Sequence, residues 1–592
     1  MMEEVALALR EATELASLRE PEEEPFRYKE KAARVLKECA ESLRGSAEGE
    51  RDEAQELLAA AAVLDARQGA LLVEMEAWHD GEELLEKAAT ELGEATTELR
   101  LSCFRQEVHN QLGVLWCNRG EHAKALCCLE RARAAYEART EEAERTPVLG
   151  GVLEQAPEPP APTEGKDAEI GRVHDGSLAP VEAHYTQTLF FLAQVQGHLG
   201  REDESADACG LCLRRQLEAG VTDVSEWVQN ATQLAGFYVD KGQYAMAEAL
   251  LSAASAVGGE PGTARGDALA AEVRANLQLG HAKFYAARLE HSRTRASLLA
   301  DDPSPPELEL ASIRGSEADD LKAREAFPSL TLALSATRIG AEAWLAEAWP
   351  GALELFNTAM PLFRRAMEFY VLDGYVTEHC QTLLDVSALH VSLAAFEPDA
   401  HRRCVMHKRR LKPLAAVLTE LGYNAFPGLW KTMQYEVGQA WRTIAETKMA
   451  ERRPHAKCAA AGVKAAEAYN AFLSKYHQDA AMAAAAAVGD APPVPKPPKG
   501  DDALPIPSAK LDTEDEAAYL QARFYLATVL HKLQPERGPD TTFGARALKE
   551  FEACAAYGDR FGAGEAFQAQ MSICKDMAAL LPERLAMLAL QR

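Results

Sequence analysis

Long apolar runs are missing from this chain of 592 residues, and aromatic residues make up only 7% of it. The apolar run at 480–488 covers nine residues, whereas a helix needs about 20 to span a membrane. The first residues, MMEEVALALREATELA, carry early acidic side chains and no basic stretch followed by an apolar one, so they predict neither a secretory signal nor a transit peptide. We therefore expect a cytosolic protein that does not insert into membranes.

Signatures of catalysis are also missing. Gly165-Lys166 has no glycine at the upstream position that a phosphate-binding loop requires, and Gly562-Ala-Gly564 follows no predicted strand. The sequence contains neither GxSxG nor HExxH, and carboxylates are too numerous to single out a catalytic pair. We expect no enzyme activity and no cofactor.

The twelve cysteines are scattered, and four of them fall at helical positions that predict burial: Cys127, Cys128, Cys209 and Cys212. Cys209 and Cys212 form a CxxC inside a predicted helix, but no second pair exists to complete a zinc site. This favours a structural role for both thiols, with redox or metal chemistry as the alternative.

A second cluster, HRRCVMHKRRLK, places His401, Cys404 and His407 on one helix face. The five neighbouring Arg and Lys side chains would repel a cation, so we expect no metal there. Two interpretations stay open: a basic face that pairs with acidic parts of the same chain, or a contact with a partner.

Acidic residues outnumber basic ones by 91 to 63, which gives a formal net charge of −28. Such a charge argues against nucleic-acid binding and against an anionic membrane surface. It favours a basic protein partner, although solubility alone also explains it.

Helical hairpins of the tetratricopeptide type are the most regular feature of the sequence. Numbered from Val228, the residues at positions 7, 8, 11, 15, 20, 24 and 27 are Leu234, Ala235, Tyr238, Gly242, Ala247, Leu251 and Ala254, which match that repeat. Numbered from Gln106, the same places hold Leu112, Gly113, Trp116, Gly120, Ala125, Leu129 and Ala132. A third repeat, near Thr186, departs from the pattern at Gln196 and Ser205. One hairpin cannot bury its own apolar face, so the hairpins must stack.

The sequence predicts an all-α solenoid of irregular hairpins in two lobes, because no run alternates in the way a half-buried strand does. The first lobe covers 1–300 and is interrupted by a Pro- and Glu-rich mobile loop at about 140–180. A linker helix region covers 301–349. The second lobe covers 350–592, with helices at 351–372, 376–395, 398–421, 429–450 and 456–476, a Pro-rich loop at about 489–508, and two or three helices after Thr513.

Stacked hairpins form a groove lined by the first helix of each hairpin, and positions 2, 5, 9 and 13 lie away from the packing positions. The set is polar with isolated apolar members, as a peptide-binding surface would be. A solvated face without a ligand is the alternative. The predicted groove residues are Glu107, Asn110, Val114 and Asn118; Gln187, Phe190, Gln194 and His198; and Gln229, Thr232, Gly236 and Asp240.

Several segments resemble the KIF-binding protein (kinesin-binding protein) family. The most specific are DGYVTEH (373–379), the spaced SALH and LAAFE (387–397) and RRCVMHKRR (402–410). LFFLAQVQGHLG (189–200), LRRQLE (213–218), LSAASAV (251–257) and MAALLPERL (577–585) are also similar to the family.

The resemblance implies a right-handed solenoid with two repeat-containing lobes joined by a long helix. It implies binding to the motor domains of selected kinesins, through the elements that meet tubulin, so that attachment to microtubules is blocked. We expect a cytoplasmic, cytoskeleton-associated monomer. The alternative function is a generic repeat adaptor for peptides such as chaperone tails. That adaptor usually clamps a terminal carboxylate with Lys or Arg, and the predicted groove set contains neither.

Overall fold

Helices of 15 to 34 residues follow one another along the chain. The structure is a computed structural model. It describes residues 2–21, 24–47, 51–95, 100–139, 147–153, 180–221, 223–259, 269–301, 325–330, 344–488, 504–507, 509–562 and 564–590, and the single residues 263, 266 and 323. Within these residues every regular element is helical and none is a strand, which confirms the all-α prediction. No helix in this described part combines the length and hydropathy that crossing a membrane requires.

Among the described residues, ten helices precede residue 260. They are α1 (Met2–Ser17), α2 (Arg27–Gly45), α3 (Arg51–Glu74), α4 (Trp78–Glu94), α5 (Ser102–Asn118), α6 (His122–Glu137), α7 (Pro180–His198), α8 (Glu202–Ala219), α9 (Val224–Asp240) and α10 (Tyr244–Gly258), with a 3₁₀ turn at Val148–Gly151.

Nine described helices follow. They are α11 (Ala271–Asp301), α12 (Trp349–Phe369), α13 (Val376–Phe396), α14 (Ala400–Glu420), α15 (Pro427–Ala450), α16 (His455–Val488), α17 (Thr513–Leu533), α18 (Thr542–Phe561) and α19 (Gln568–Ala589), with a 3₁₀ turn at Glu565–Phe567. The helix predicted at 456–476 is longer than expected, because the alanine-rich stretch at 480–488 has high helix propensity and continues it.

The chain divides into two compact units. The first comprises Met1–Tyr238, Ala245–Ala270 and Ala318–Ser335, and the second comprises Val239–Tyr244, Ala271–Glu317 and Ala336–Arg592. Helix α11, predicted at the end of the first lobe, belongs instead to the second unit, because its Ala282 and Leu289 share a core with Ala352 and Phe363 of α12. The predicted linker helix region, 301–349, lies mostly outside the described residues.

Within the first unit, consecutive helices from α1 to α8 pack against one another, and α3, α5 and α7 also touch directly in one row. The repeat marks explain this packing. A Cβ atom on Gly113 would lie 2.7 Å from a methyl group of Leu129, so the small residue allows α5 and α6 to approach closely. The turn glycines of the three repeats, Gly120, Gly200 and Gly242, have φ values of 75°, 71° and 69°, which favour glycine. The tetratricopeptide-like hairpins are thereby confirmed.

The second unit repeats this arrangement. Consecutive helices from α11 to α19 pack in order, and α11, α13, α15 and α17 touch in a row. Its largest core joins α13 to α19 around fully buried tyrosines such as Tyr469, Tyr519 and Tyr557.

Both predicted loops fall largely outside the described residues, and their described parts are anchored. In the first, Val148, Leu149 and Leu153 are buried in the core of the first unit. In the second, Leu504 is buried in the core of the second unit. Residues 147–153 fall inside the predicted loop but pack into this core, because they carry apolar side chains that a core can bury.

The cysteines divide between core and surface. Cys212 is buried and Cys209 is half-buried, and burial raises the pKa of both thiols, that of Cys212 to about 12. Such thiols stay protonated, which supports their structural role. Cys128 is half-buried and burial raises its pKa to about 11. The predicted burial of Cys127 is wrong, because this residue faces solvent next to the packed face of α6.

Candidate functional site

The predicted groove residues lie on α5, α7 and α9, the first helices of the three repeats. Helices α5 and α7 lie in one row of the first unit, because α5 contacts both α3 and α7. Five of the predicted residues are exposed: Asn118, Gln194, His198, Gln229 and Asp240. Gly236 is exposed as well, and Val114 is half-buried.

Three of the exposed residues terminate their helices: Asn118 ends α5, His198 ends α7 and Asp240 ends α9. The last turn of a helix presents carbonyl oxygens without intrahelical partners and carries a partial negative charge. These ends therefore favour a cationic partner. Asn118 and His198 belong to the first unit, whereas Asp240 falls in the second, so the structure does not place Asp240 in the same unit as the other predicted residues.

His198 makes an aromatic contact with a neighbouring helix. Its ring stacks on that of His122, at the start of α6, with 4.6 Å between centroids and 8° between planes. The stack fixes the end of α7 against α6.

Glu107 is half-buried and internally paired. Its Oε1 accepts a hydrogen bond from Nε of Arg67 on α3 at 3.1 Å, and its Oε2 lies 4.0 Å from Nε2 of His184 on α7. Burial alone would lower the pKa of Arg67, but the charge and hydrogen bonds of Glu107 outweigh it and raise that pKa. Glu107 thus ties together three helices of the row, and most of its charge is compensated within the protein.

Gln187 and Phe190 are half-buried on α7. Phe190 packs against the small core of Tyr185, Leu189 and Cys212, and its ring meets that of Phe191 edge to face at 5.5 Å. A contact of Phe190 with a partner stays a prediction.

Asn110 and Thr232 require a correction, because both are buried. The Asn110 amide donates to the backbone oxygen of His184 at 3.0 Å and its Oδ1 accepts from the hydroxyl of Thr188 at 2.9 Å, which joins α5 to α7. Thr232 donates to the backbone oxygen of Val228 at 2.7 Å. A first helix in a stacked row is covered on two sides, so position 5 of a repeat is not always free.

A polar junction that the sequence did not indicate surrounds Glu182 of α7. Its carboxylate accepts hydrogen bonds from the hydroxyl of Tyr136 at 2.9 Å, from Arg139 at 3.1 Å and from Arg215. Burial would raise the pKa of Glu182, but these donors outweigh it and lower that pKa. The stacked rings of Tyr136 and Tyr185, 3.7 Å apart, cover the junction. The participants lie on α6, α7 and α8 and, for Arg139, just after the end of α6. They fall on both sides of the 140–179 interruption, so no local spacing predicts their meeting.

The basic segment of α14 divides by helix face. Cys404, His407 and Arg410 are buried, whereas His401 is exposed, so the three predicted members of the cluster do not converge. Among the described residues no group of three His, Cys, Asp or Glu is arranged to hold a metal. Arg410 Nη1 pairs with Glu436 at 2.6 Å, as the interpretation of an internally paired basic face requires.

The exposed residues of the same segment are His401, Arg402, Lys408, Arg409 and Lys412. Arg402 lies 3.9 Å from the buried carboxylate of Glu397. A partner contact at this exposed surface stays a prediction.

Comparison with known proteins places the chain. A family model described as "KIF-1 binding protein C terminal" matches residues 225–588, more than half of the chain. KIF-binding proteins of Gallus gallus and Homo sapiens are each 29% identical to it, over 452 and 475 residues. These alignments cover 73% of this chain and 74% and 75% of the relatives. The KIF-binding protein of Drosophila melanogaster is 23% identical over 503 residues, which cover 80% of this chain and 76% of that one.

Two solved structures share the fold over nearly the whole length. One, titled "Kinesin binding protein (KBP)", has a TM-score of 0.56 and 22% identity and covers 98% of this chain and 97% of its own. The other, titled "Cryo-EM map of KIFBP", has a TM-score of 0.57 and 20% identity and covers 99% of both chains. Together with the match of the family model, this shows that the chain belongs to the KIF-binding protein family.

Proposed function

We propose that the chain is a regulatory protein that binds kinesin motor domains through a polar, acidic inner face and blocks their attachment to microtubules. Membership of the KIF-binding protein family carries this proposal. The fold supports it, because nearly the whole chain aligns with a structure titled "Kinesin binding protein (KBP)". We further propose that it acts in the cytoplasm, at the cytoskeleton, as a monomer.

Charge supports the inhibitory mechanism. The motor surface that meets acidic tubulin is basic, and a chain with a net charge of −28 is complementary to it. A protein that covers this surface competes with the microtubule for the same charges. The result is regulation of microtubule-based transport without any chemical step.

The alternative function is a generic adaptor for peptides such as chaperone tails. Clamping a terminal carboxylate takes Lys or Arg, and neither residue type occurs in the predicted groove set. The kinesin proposal is therefore the better supported of the two.

Co-sedimentation tests the proposal directly. Purified motor domains of several kinesins from the same organism are mixed with microtubules and increasing amounts of the chain. We expect the soluble fraction of at least one motor to rise with the concentration of the chain, and the same motor to be captured in a pull-down. If no motor is captured and none is released from microtubules, the proposal is wrong. Preferential capture of peptides that end in a free carboxylate would favour the adaptor.

A charge reversal tests the residues. Asp240→Lys places a cation at the exposed end of α9 without breaking a described ion pair, and we expect weaker binding to the motor with a smaller salt dependence. Glu107→Lys should act in the same direction, but it also places a cation beside Arg67. The matched control is Glu130→Lys, which makes the same charge change on the exposed side of α6. Equal effects of Asp240→Lys and Glu130→Lys would remove Asp240 from the site.

A further inference from the structure

Residues 147–153 of the first unit pack against helix α3. Val148 and Leu153 are almost completely buried, and Leu149 is 6% exposed. They belong to the same core as Ala60 and Val63 of α3. We call residues 147–153 the strap.

Two charged side chains of α3 hold the backbone of the strap. The Leu149 N–H donates to Oε1 of Glu56 at 2.5 Å, and Nη2 of Arg67 donates to the backbone oxygen of Leu153 at 3.1 Å. Glu56, Ala60, Val63 and Arg67 follow the spacing i, i+4, i+7 and i+11, so they share one face of the helix. We call these four residues the α3 stripe. It has an acceptor at one end, a donor at the other, about 16 Å further along the helix, and apolar side chains between them.

Arg67 does not depend on the strap for its position. Its Nε donates to Oε1 of Glu107 on α5 at 3.1 Å and its Nη2 to Oε2 of the same carboxylate at 3.4 Å, and this position also brings Nη2 within reach of the Leu153 carbonyl oxygen. The donor end of the α3 stripe is therefore organised by the helices themselves.

The strap conforms to the α3 stripe at a conformational cost. Leu149, Gly150 and Gly151 have φ values of 47°, 64° and 88°. Glycine adopts these values readily, but leucine does so rarely. A residue held in this region indicates that its surroundings impose the conformation.

We propose that the α3 stripe is a binding site for a short apolar peptide segment, which the chain fills with its own strap. A competing segment would need apolar side chains on both sides of a glycine turn. It would also need a backbone N–H for Glu56 and a backbone carbonyl for Arg67. The inference does not rest on kinesin binding, because it concerns a different set of residues and a different ligand.

A labelled peptide tests the inference in the full-length chain. The peptide TPVLGGVLE carries the strap sequence (146–154), and its binding is measured by fluorescence anisotropy. In the V148D/L149D variant the strap carries charges that the apolar stripe rejects, so the site is vacated. We expect this variant to bind the peptide at least tenfold more tightly than the unchanged chain. Arg67→Gln in the V148D/L149D background removes Nη2, the group that donates to the carbonyl oxygen of the peptide, and should weaken binding about tenfold. A peptide with both leucines replaced by aspartate should not bind.

Three outcomes would overturn the inference. Equal affinity of the unchanged chain and V148D/L149D would show that the strap does not occupy a peptide site. Unaltered binding after Arg67→Gln would place the peptide elsewhere. Failure of V148D/L149D to fold, seen as loss of the helical circular dichroism signal, would make the strap an obligatory part of the core.

Hydrogen exchange gives a measurement without any variant. In the unchanged chain, excess peptide should speed exchange of the Leu149 amide, because the peptide displaces the strap from Glu56. Protection that stays constant at saturating peptide would contradict the inference.

Discussion

The buried charge of Arg523 in the second unit is matched by several hydrogen-bond acceptors. Arg523 is fully buried, and its guanidinium donates to Glu550 at 2.8 Å, to the Tyr519 hydroxyl at 2.7 Å and to the backbone oxygens of Leu504 and Pro505. An unpaired buried charge is strongly destabilising, so these acceptors are what permit an arginine at this position. Arg523 also fixes the chain that follows the Pro-rich segment onto α17.

His407 illustrates the opposite solution, a buried group that stays neutral. Burial first, and then the nearby Arg410, His390 and Arg403, lower the pKa of His407 to about 4. Burial and the charge of Arg410 also lower the pKa of His390. Below pH 6.5 the imidazoles of His407 and His390 become protonated in the unfolded chain but stay neutral in the folded chain until a lower pH. Stability from these residues is therefore complete above pH 6.5 and is lost as the pH falls towards 4.

We predict that His407→Leu makes the free energy of unfolding less dependent on pH between 6.5 and 4. The free energy of unfolding, measured by urea titration between pH 6.5 and 4, should fall less steeply in the variant. The difference should reach at most about 3 kcal/mol at the acid end. His401→Leu is the matched control, since it removes an exposed imidazole from the same helix. Parallel curves for the unchanged chain and His407→Leu would contradict the assignment.

At the scale of elements, close approach of helices depends on small residues at the crossings. A Cβ atom on Gly438 of α15 would lie 2.8 Å from the ring of Tyr469 on α16. That ring is fully buried and cannot move aside. Gly236, in contrast, is an exposed residue inside α9, and a Cβ atom added to it would meet open space within 4 Å. The two glycines occupy the same kind of element but have opposite reasons for being there.

Gly438→Ala and Gly236→Ala should therefore shift stability in opposite directions. Overpacking at Gly438 should outweigh the helix propensity of alanine and lower the free energy of unfolding by about 1–2 kcal/mol. At Gly236 only the higher helix propensity of alanine acts, so Gly236→Ala should raise the free energy of unfolding by about 0.5–1 kcal/mol. Urea midpoints of the two variants, compared with the unchanged chain, measure both effects. Destabilisation by Gly236→Ala would show that its backbone has a role besides forming a helix.

Repeat spacing and residue type were sufficient to predict most helices, because each residue at a repeat position has a local physical reason for being there. The turn glycines and the pair Gly113–Leu129 are examples. The strap and the Glu182 junction could not be predicted, since each joins residues more than 40 positions apart. Exposure within the candidate site was predictable only in part. A helical period says which side chains share a face, but the burial of Asn110 depends on how closely α7 approaches α5.

At the scale of the whole molecule, charge is the property that the proposed function uses. The excess of 28 negative charges belongs to the chain as a whole, whereas individual acidic residues such as Glu107 and Glu182 are compensated locally. Long-range attraction to a basic partner therefore depends on the many exposed carboxylates together. Specific affinity depends on the few exposed residues at the contact.

This division predicts how salt affects motor binding. Steering by the whole charge is screened over about 10 Å at 0.1 M ionic strength, while contacts already formed are screened much less. Between about 0.05 and 0.3 M salt, we expect the association rate constant for a motor domain to fall about tenfold or more, and the dissociation rate constant to change little. Stopped-flow fluorescence measures the first and dilution of the complex the second. Glu130→Lys and Asp240→Lys should lower the association rate to a similar extent, because each removes two units of negative charge, but only Asp240→Lys should speed dissociation. An association rate that is insensitive to salt would contradict recognition by charge and would leave shape and apolar contacts such as Phe190 as its basis.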